Sequence, residues 1–102
     1  MRRGDVWLAQ IGQKLRPVVV LTRDQVIGVR RLVVVAEVTT QARGSHVEVS
    51  VDHESVGLDR PSVVNADGIH TIAQTRLTHH VGTLAPSDMS CVCTAVRRAI
   101  GC

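Results

Sequence analysis

Apolar residues in this chain come in short runs separated by polar clusters, and only the last run has helical spacing. Residues 5–11 predict the first strand, which stops at Gly12-Gln13-Lys14. Residues 17–22 begin at Pro17 and carry an unbroken Val-Val-Val-Leu run. Such a run, too short for a helix, predicts a strand covered on both faces. A loop with Gly28 follows over residues 23–30. Residues 32–39 are again almost wholly apolar and predict a third strand.

Gln41-Ala42-Arg43-Gly44 predicts a turn. Residues 46–51 alternate strictly, as a strand with one wet and one dry face does. Residues 52–61 form a polar connection. Short strands are predicted over residues 62–64 and 69–72, divided by the turn-forming Asn65-Ala66-Asp67-Gly68. Residues 73–77 predict a helical turn and residues 80–82 a short edge strand. In the tail, Pro86 suits a first helical position and Asp88 the positive first turn. Met89, Val92, Cys93, Val96, Ala99 and Ile100 share one helical face. Arg97 and Arg98 complement the negative end, and Gly101 is placed to stop the helix. Short strands followed by one packed helix fit a small, twisted antiparallel barrel with helices on its outside.

Length sharpens this picture: 102 residues suit one domain, residues 1–102, with a modest core. The chain has no Tyr, no Phe and a single Trp, Trp7. That excludes RNA binding through a series of aromatic platforms. The net charge of +3 and pI near 9.2 favour a polyanionic partner without demanding one. Cys91, Cys93 and Cys102 are an odd set near the end of the chain. Met1-Arg2-Arg3 leads straight into the first strand without a signal-peptide pattern, and no apolar run approaches the ~20 residues of a membrane span. A reducing cytosol is the expected setting, with the cysteines as small apolar fillers.

The candidate chemistry starts at Arg16. Pro17 disfavours helical geometry there and presents the arginine extended, at the mouth of a buried strand. An ordinary surface arginine fits the same pattern. Thr39 and Thr40 close the third strand, and Gln41 and Arg43 follow, a cluster of donors able to meet phosphate or base edges. His46, His53, His70, His79 and His80 match no zinc-binding spacing, so no metal site is expected. His70 and His46 are the candidates for acid-base work.

Several landmarks then recur in order over nearly the whole chain: Arg3-Gly4-Asp5-Val6-Trp7, Arg16-Pro17-Val18-Val19-Val20-Leu21, Val34-Val35-Ala36-Glu37-Val38-Thr39-Thr40, His46-Val47-Glu48-Val49, Ser62-Val63-Val64-Asn65-Ala66-Asp67, and a helix opening Leu84-Ala85-Pro86-Ser87-Asp88-Met89. The set resembles the MazF/PemK-type toxins of bacterial toxin-antitoxin pairs.

The resemblance implies a mainly β, SH3-like barrel with a C-terminal helix, working as a homodimer. It implies an endoribonuclease that needs no metal or other cofactor. Such an enzyme cuts single-stranded RNA, commonly mRNA and in some cases tRNA or rRNA, at short motifs. It leaves a 2′,3′-cyclic phosphate and a 5′-hydroxyl. It also implies a MazE-like antitoxin with an acidic tail that blocks the RNA groove. The family's catalytic arginine and threonine fall on Arg16 and Thr39. RNA contacts are expected from Arg23, Thr40, Gln41, Arg43, Asn65, Asp67 and His70.

In such a reaction the RNA's own 2′-hydroxyl attacks phosphorus, and charge builds on the phosphate oxygens. A guanidinium fork matches those oxygens, and Thr39 adds a hydroxyl donor. Arginine stays protonated in proteins, so it is not the base. The base is left unassigned, with His70 or His46 eligible if the fold brings one near. Many relatives have a long loop before the arginine. Here only residues 12–15 fill that place, which removes any acidic helper from that loop and predicts an open groove. Two further readings stand beside this one: a CcdB-like toxin that binds gyrase without catalysis, and an inactive RNA-binding member. The first relies on a helix ending in tryptophan, whereas this chain ends Ile100-Gly101-Cys102. The second is disfavoured by the presence of both Arg16 and Thr39.

Overall fold

A computed structural model describes all of residues 1–102. Along the chain run β1 (Asp5–Ile11), β2 (Lys14–Val20), α1 (Asp24–Ile27), β3 (Leu32–Thr39), β4 (Glu48–Val51), α2 (His53–Val56), β5 (Ser62–Ala73), a 3-10 turn (Gln74–Arg76), β6 (Leu77–Thr83) and α3 (Pro86–Ile100). The six strands form one antiparallel sheet in the order β4-β5-β3-β2-β1-β6. The fold is mainly β and barrel-like, but β4 and β6 do not pair, so the sheet stays open. α2 lies against that gap: a Cβ at Gly82 of β6 would overlap the Val56 carbonyl oxygen.

Alternation along the strands supplies two apolar layers. Val6, Val19, Ala36, Val38 and Val64 face Val56 of α2 and Val92 of α3. Ala9, Val18, Val20, Val33 and Val35 face the other way, under Ile27 of α1 and Leu77. The Val-Val-Val run is thus buried on both sides, as its pattern predicts. With scarcely any aromatics, cohesion rests on valines, each contributing roughly 1.5–3 kcal/mol when fully buried.

α3 has the predicted bounds, with Pro86 in its first turn and Gly101 in the left-handed region (φ 78°), its N–H bonded to the Arg97 carbonyl. Ile100, expected on the packed face, is instead exposed; it overhangs a recess lined by Leu21, Val34 and Ile69.

Four other expectations are corrected. First, β2 begins at Lys14, because Gly12 (φ 61°) permits a two-residue hairpin turn that pairs Ile11 with Lys14. Arg16 and Pro17 therefore lie inside the strand and not at its mouth. Second, the two short strands around Asn65-Gly68 are one strand, β5, carrying a bulge. The register passes from Ala36↔Ile69 to Glu37↔Asn65, and residues 66–68 loop out. The turn chemistry is real, since the Asp67 N–H donates to Asn65 Oδ1 at 3.0 Å, but it makes a kink within a strand. Third, β4 starts at Glu48 and not at His46, because the Glu48 carboxylate folds back onto the preceding loop. Fourth, the loop and the polar connection each contain a helical turn, α1 and α2. Asp52 caps α2 and Gly57 ends it.

Candidate active site

β2 and β3 pair only over Val18↔Glu37, Val19↔Ala36 and Val20↔Val35. Pro17 explains why the ladder stops. The Leu21 N–H donates to the Val34 carbonyl on β3 at 2.8 Å. Alternate residues of a strand direct their N–H groups to the same neighbour, so those of Leu21 and Val19 and the nitrogen of residue 17 all point at β3. Proline has no N–H to give. Below Val18 the two strands part. Extending the register by two residues sets Arg16 opposite Thr39 across the opening.

Arg16 and Thr39 line hollows on both sides of this split. One, about 550 Å³, is bounded by Leu8, Pro17, Thr40, Asp59 and Arg60. The other, about 270 Å³, is walled wholly by polar and charged side chains, among them Glu37, Gln41, Arg43 and Asn65. Across the sheet, Glu48, Asn65, Glu37, Val18 and Trp7 are successive cross-strand partners on one side, polar as far as Glu37 and apolar from the buried Val18 onward. Trp7 stands at its end, its ring tilted against His80 with centroids 5.2 Å apart.

Glu37 links the charged groups. Its Oε1 lies 3.4 Å from an Arg16 guanidinium nitrogen, and its Oε2 lies 2.7 Å from His70 Nε2. Arg16 remains 43% exposed and Glu37 23%, so the pair is held yet open to the hollow. The Thr39 hydroxyl accepts the Gln41 N–H at 3.1 Å, which fixes the oxygen and leaves its proton free to donate outward. The loop beyond is anchored by Glu48, whose carboxylate accepts the N–H groups of Arg43 and Ser45 at 3.0 Å. The Arg43 N–H bond chiefly holds the Glu48 carboxyl below its ordinary range. The N–H groups of Ser45 and Gly44 and the Arg43 charge add to this, and desolvation opposes it. That anchoring presents Gln41 and Arg43 at the rim.

The model for PemK-like, MazF-like toxins of type II toxin-antitoxin systems matches residues 2–100. The chain belongs to this toxin family. It is 40% identical over 103 residues to the probable endoribonuclease MazF5 of Mycobacterium tuberculosis, covering 98% of this chain and 93% of that one. It is 38% identical over 104 residues to the probable endoribonuclease MazF2 of the same species, covering all of both chains. Among solved structures, M. tuberculosis toxin MazF-mt6 superposes with a TM-score of 0.88 at 37% identity, over 95% of this chain and 96% of that one. A mycobacterial endoribonuclease in complex with its cognate antitoxin superposes with a TM-score of 0.90 at 25% identity, over 99% and 95%.

In this member of the toxin family, the fold gathers Arg16, Thr39, Thr40, Gln41, Arg43 and Asn65 at the split, and His70 joins them through Glu37. Arg23 and Asp67 are not among the residues lining it. Arg23 borders a separate recess with Arg3 and Arg30, and Asp67 lies on the β5 bulge. His46 lines neither hollow; it borders a recess against α3 with Ser90, Thr94 and Arg98. Glu37 and Arg60 escaped the sequence reading. Glu37 did leave a signal, as the one charged residue in the apolar strand Leu32–Thr39. Arg60 left none, since only the path of residues 57–62 brings it to the groove.

Proposed function

We propose that this toxin is a single domain over residues 1–102, acting in the cytosol as a metal-independent endoribonuclease on single-stranded RNA. The observation that carries this reading is Arg16 set opposite Thr39 where β2 and β3 part. The groove seats one phosphodiester between them. The Arg16 fork takes the non-bridging oxygens, and the Thr39 hydroxyl donates a further bond. The neighbouring 2′-hydroxyl attacks phosphorus, the O2′–P bond forms and the P–O5′ bond breaks. The products are a 2′,3′-cyclic phosphate and a 5′-hydroxyl. Both donors are held before the reaction, so they act on the charge that develops in the transition state.

Thr40, Gln41, Arg43 and Asn65 contact the flanking RNA and give the cut its sequence preference. Arg23 and Asp67 reach only RNA that extends past the groove. The working unit is a homodimer, consistent with the exposed apolar Val29, Leu32 and Ile100. A MazE-like antitoxin with an acidic tail competes for the basic rim of the groove.

Incubation of the purified protein with total RNA in EDTA, followed by sequencing of 5′-hydroxyl ends, tests this reading. Ends clustered at one short motif, each matched by an upstream 2′,3′-cyclic phosphate, are expected. RNA that is bound and left intact contradicts it.

A further inference from the structure

We infer that Glu37 is the proton acceptor for the 2′-hydroxyl, with His70 holding it in place. The inference rests on the ribonuclease reading above. Four observations lead to it. Glu37 is the one charged residue of β3, between Ala36 and Val38, which both pack in the core. It lies two residues before Thr39 on the same face, roughly 7 Å along the strand, which leaves room for one phosphate and its 2′-hydroxyl. Its side chain lines the same polar hollow as Arg16 and Thr39. The bulge of β5 is shaped around it: a Cβ at Gly68 would come within 3.1 Å of Glu37 Oε2 and 3.3 Å of Glu37 Cβ and Asn65 Nδ2.

The groups facing Glu37 divide its two oxygens. From β5, His70 Nε2 holds Oε2 at 2.7 Å. From β2, Arg16 reaches Oε1 at the looser distance of 3.4 Å. A bound phosphate draws Arg16 onto its own oxygens and leaves Oε1 open to the 2′-hydroxyl, while His70 keeps the carboxylate aimed. Arg16 is 43% exposed and the His70 bond is only part-buried, so these pairs add modestly to stability and support of the fold is a weak reason for a carboxylate here. In the step itself the O2′–H bond breaks and the proton goes to Glu37 Oε1. The freed electron pair on O2′ forms the bond to phosphorus. The P–O5′ pair leaves with O5′, which takes a proton from water. Glu37 then releases its proton to solvent.

The test uses an oligonucleotide carrying the motif that the wild-type protein cuts, with KM and kcat separated. Glu37→Gln keeps the shape and removes the base. Its kcat is expected to fall about 100-fold or more, with KM within a few-fold of wild type. Glu37→Ala is expected to fall as far and to regain about tenfold in kcat with added formate, which does not rescue Glu37→Gln. Binding of a 2′-O-methyl version of the oligonucleotide should match wild type in both variants, which separates catalysis from misfolding. Wild-type kcat in Glu37→Gln, a loss confined to KM, or a kcat loss in Glu37→Ala that formate leaves unrestored overturns the inference. If Glu37→Gln is fully active while Arg16→Ala is inactive, only this inference fails. If the wild-type protein cuts no RNA, the ribonuclease reading itself fails.

Discussion

Arg16 and Thr39 face each other across the point where β2 and β3 cease to exchange hydrogen bonds, and Pro17 is the reason the exchange ceases there. The missing N–H leaves the two strands free to part at this point, and residues 57–62 wall the groove from beyond the sheet. Its upper end is closed by Val18 paired with Glu37, and its sides carry the donors.

That relationship predicts the effect of returning the donor. Pro17→Ala supplies an N–H aimed at β3, and the ladder can then continue toward Thr39. Cleavage should fall about tenfold or more as the donors shift, since small misplacements of catalytic groups are costly. Stability measured by urea unfolding should stay within about 1 kcal/mol, because the added hydrogen bond offsets the more flexible unfolded chain. Unchanged cleavage in Pro17→Ala would mean that the split is held open by something other than the proline.

The Thr39 hydroxyl anchors the Gln41 N–H, and in the proposed mechanism it also donates to phosphate. Thr39→Ser keeps that hydroxyl, so most activity should remain. Thr39→Ala loses both, and cleavage should fall about tenfold or more, the value of one hydrogen bond in the transition state. Equal rates for the two variants in a single-turnover assay would remove the hydroxyl from the mechanism.

The Glu48 carboxyl is held below its ordinary range, chiefly by the Arg43 N–H. A carboxyl shifted down on folding adds stability above its unfolded value, near pH ~4.3, and loses it as pH falls through the lower folded value. The Arg43 and Ser45 amides should therefore stay protected at neutral pH and lose protection only in acid below that range. Glu48→Gln should weaken their protection at neutral pH as well. Amide exchange followed by NMR reads both effects; protection independent of pH and of Glu48 would show that the loop is ordered by other contacts.

Gly82 is where β6 passes against α2. Gly82→Ala places a methyl group onto the Val56 carbonyl oxygen and should destabilise the fold by about 1–3 kcal/mol. Gly28→Ala, at a site with open space, serves as its control. A thermal melt comparing the two decides whether α2 truly closes the gap between the sheet edges.

How much of this was legible in the sequence depended on the range of the forces involved. The Val-Val-Val run, the apolar third strand and the Pro86-to-Gly101 helix are written in local periodicity and capping residues, and they form as read. The split between β2 and β3 was not legible as such. Pro17 was visible, but its effect depends on which neighbour its nitrogen faces, and only the register reveals that. Asn65-Ala66-Asp67-Gly68 shows the same gap: its turn chemistry is local, while its place as a bulge is set by pairing with β3. Arg16 before Pro17 and Thr39 at a strand end are visible locally, but each also fits an ordinary surface or strand residue, and only the ordered motifs of a family join them. Glu37, in contact with both Arg16 and His70, needed three strands brought side by side.

The central claim is that Arg16 stabilises charge on a phosphate held opposite Thr39. The most direct measurement is the single-turnover cleavage rate of Arg16→Ala in EDTA, on an oligonucleotide containing the wild-type cut motif. The account predicts a loss of about 100- to 1000-fold at unchanged fold stability. A folded Arg16→Ala protein that cuts at the wild-type rate contradicts it.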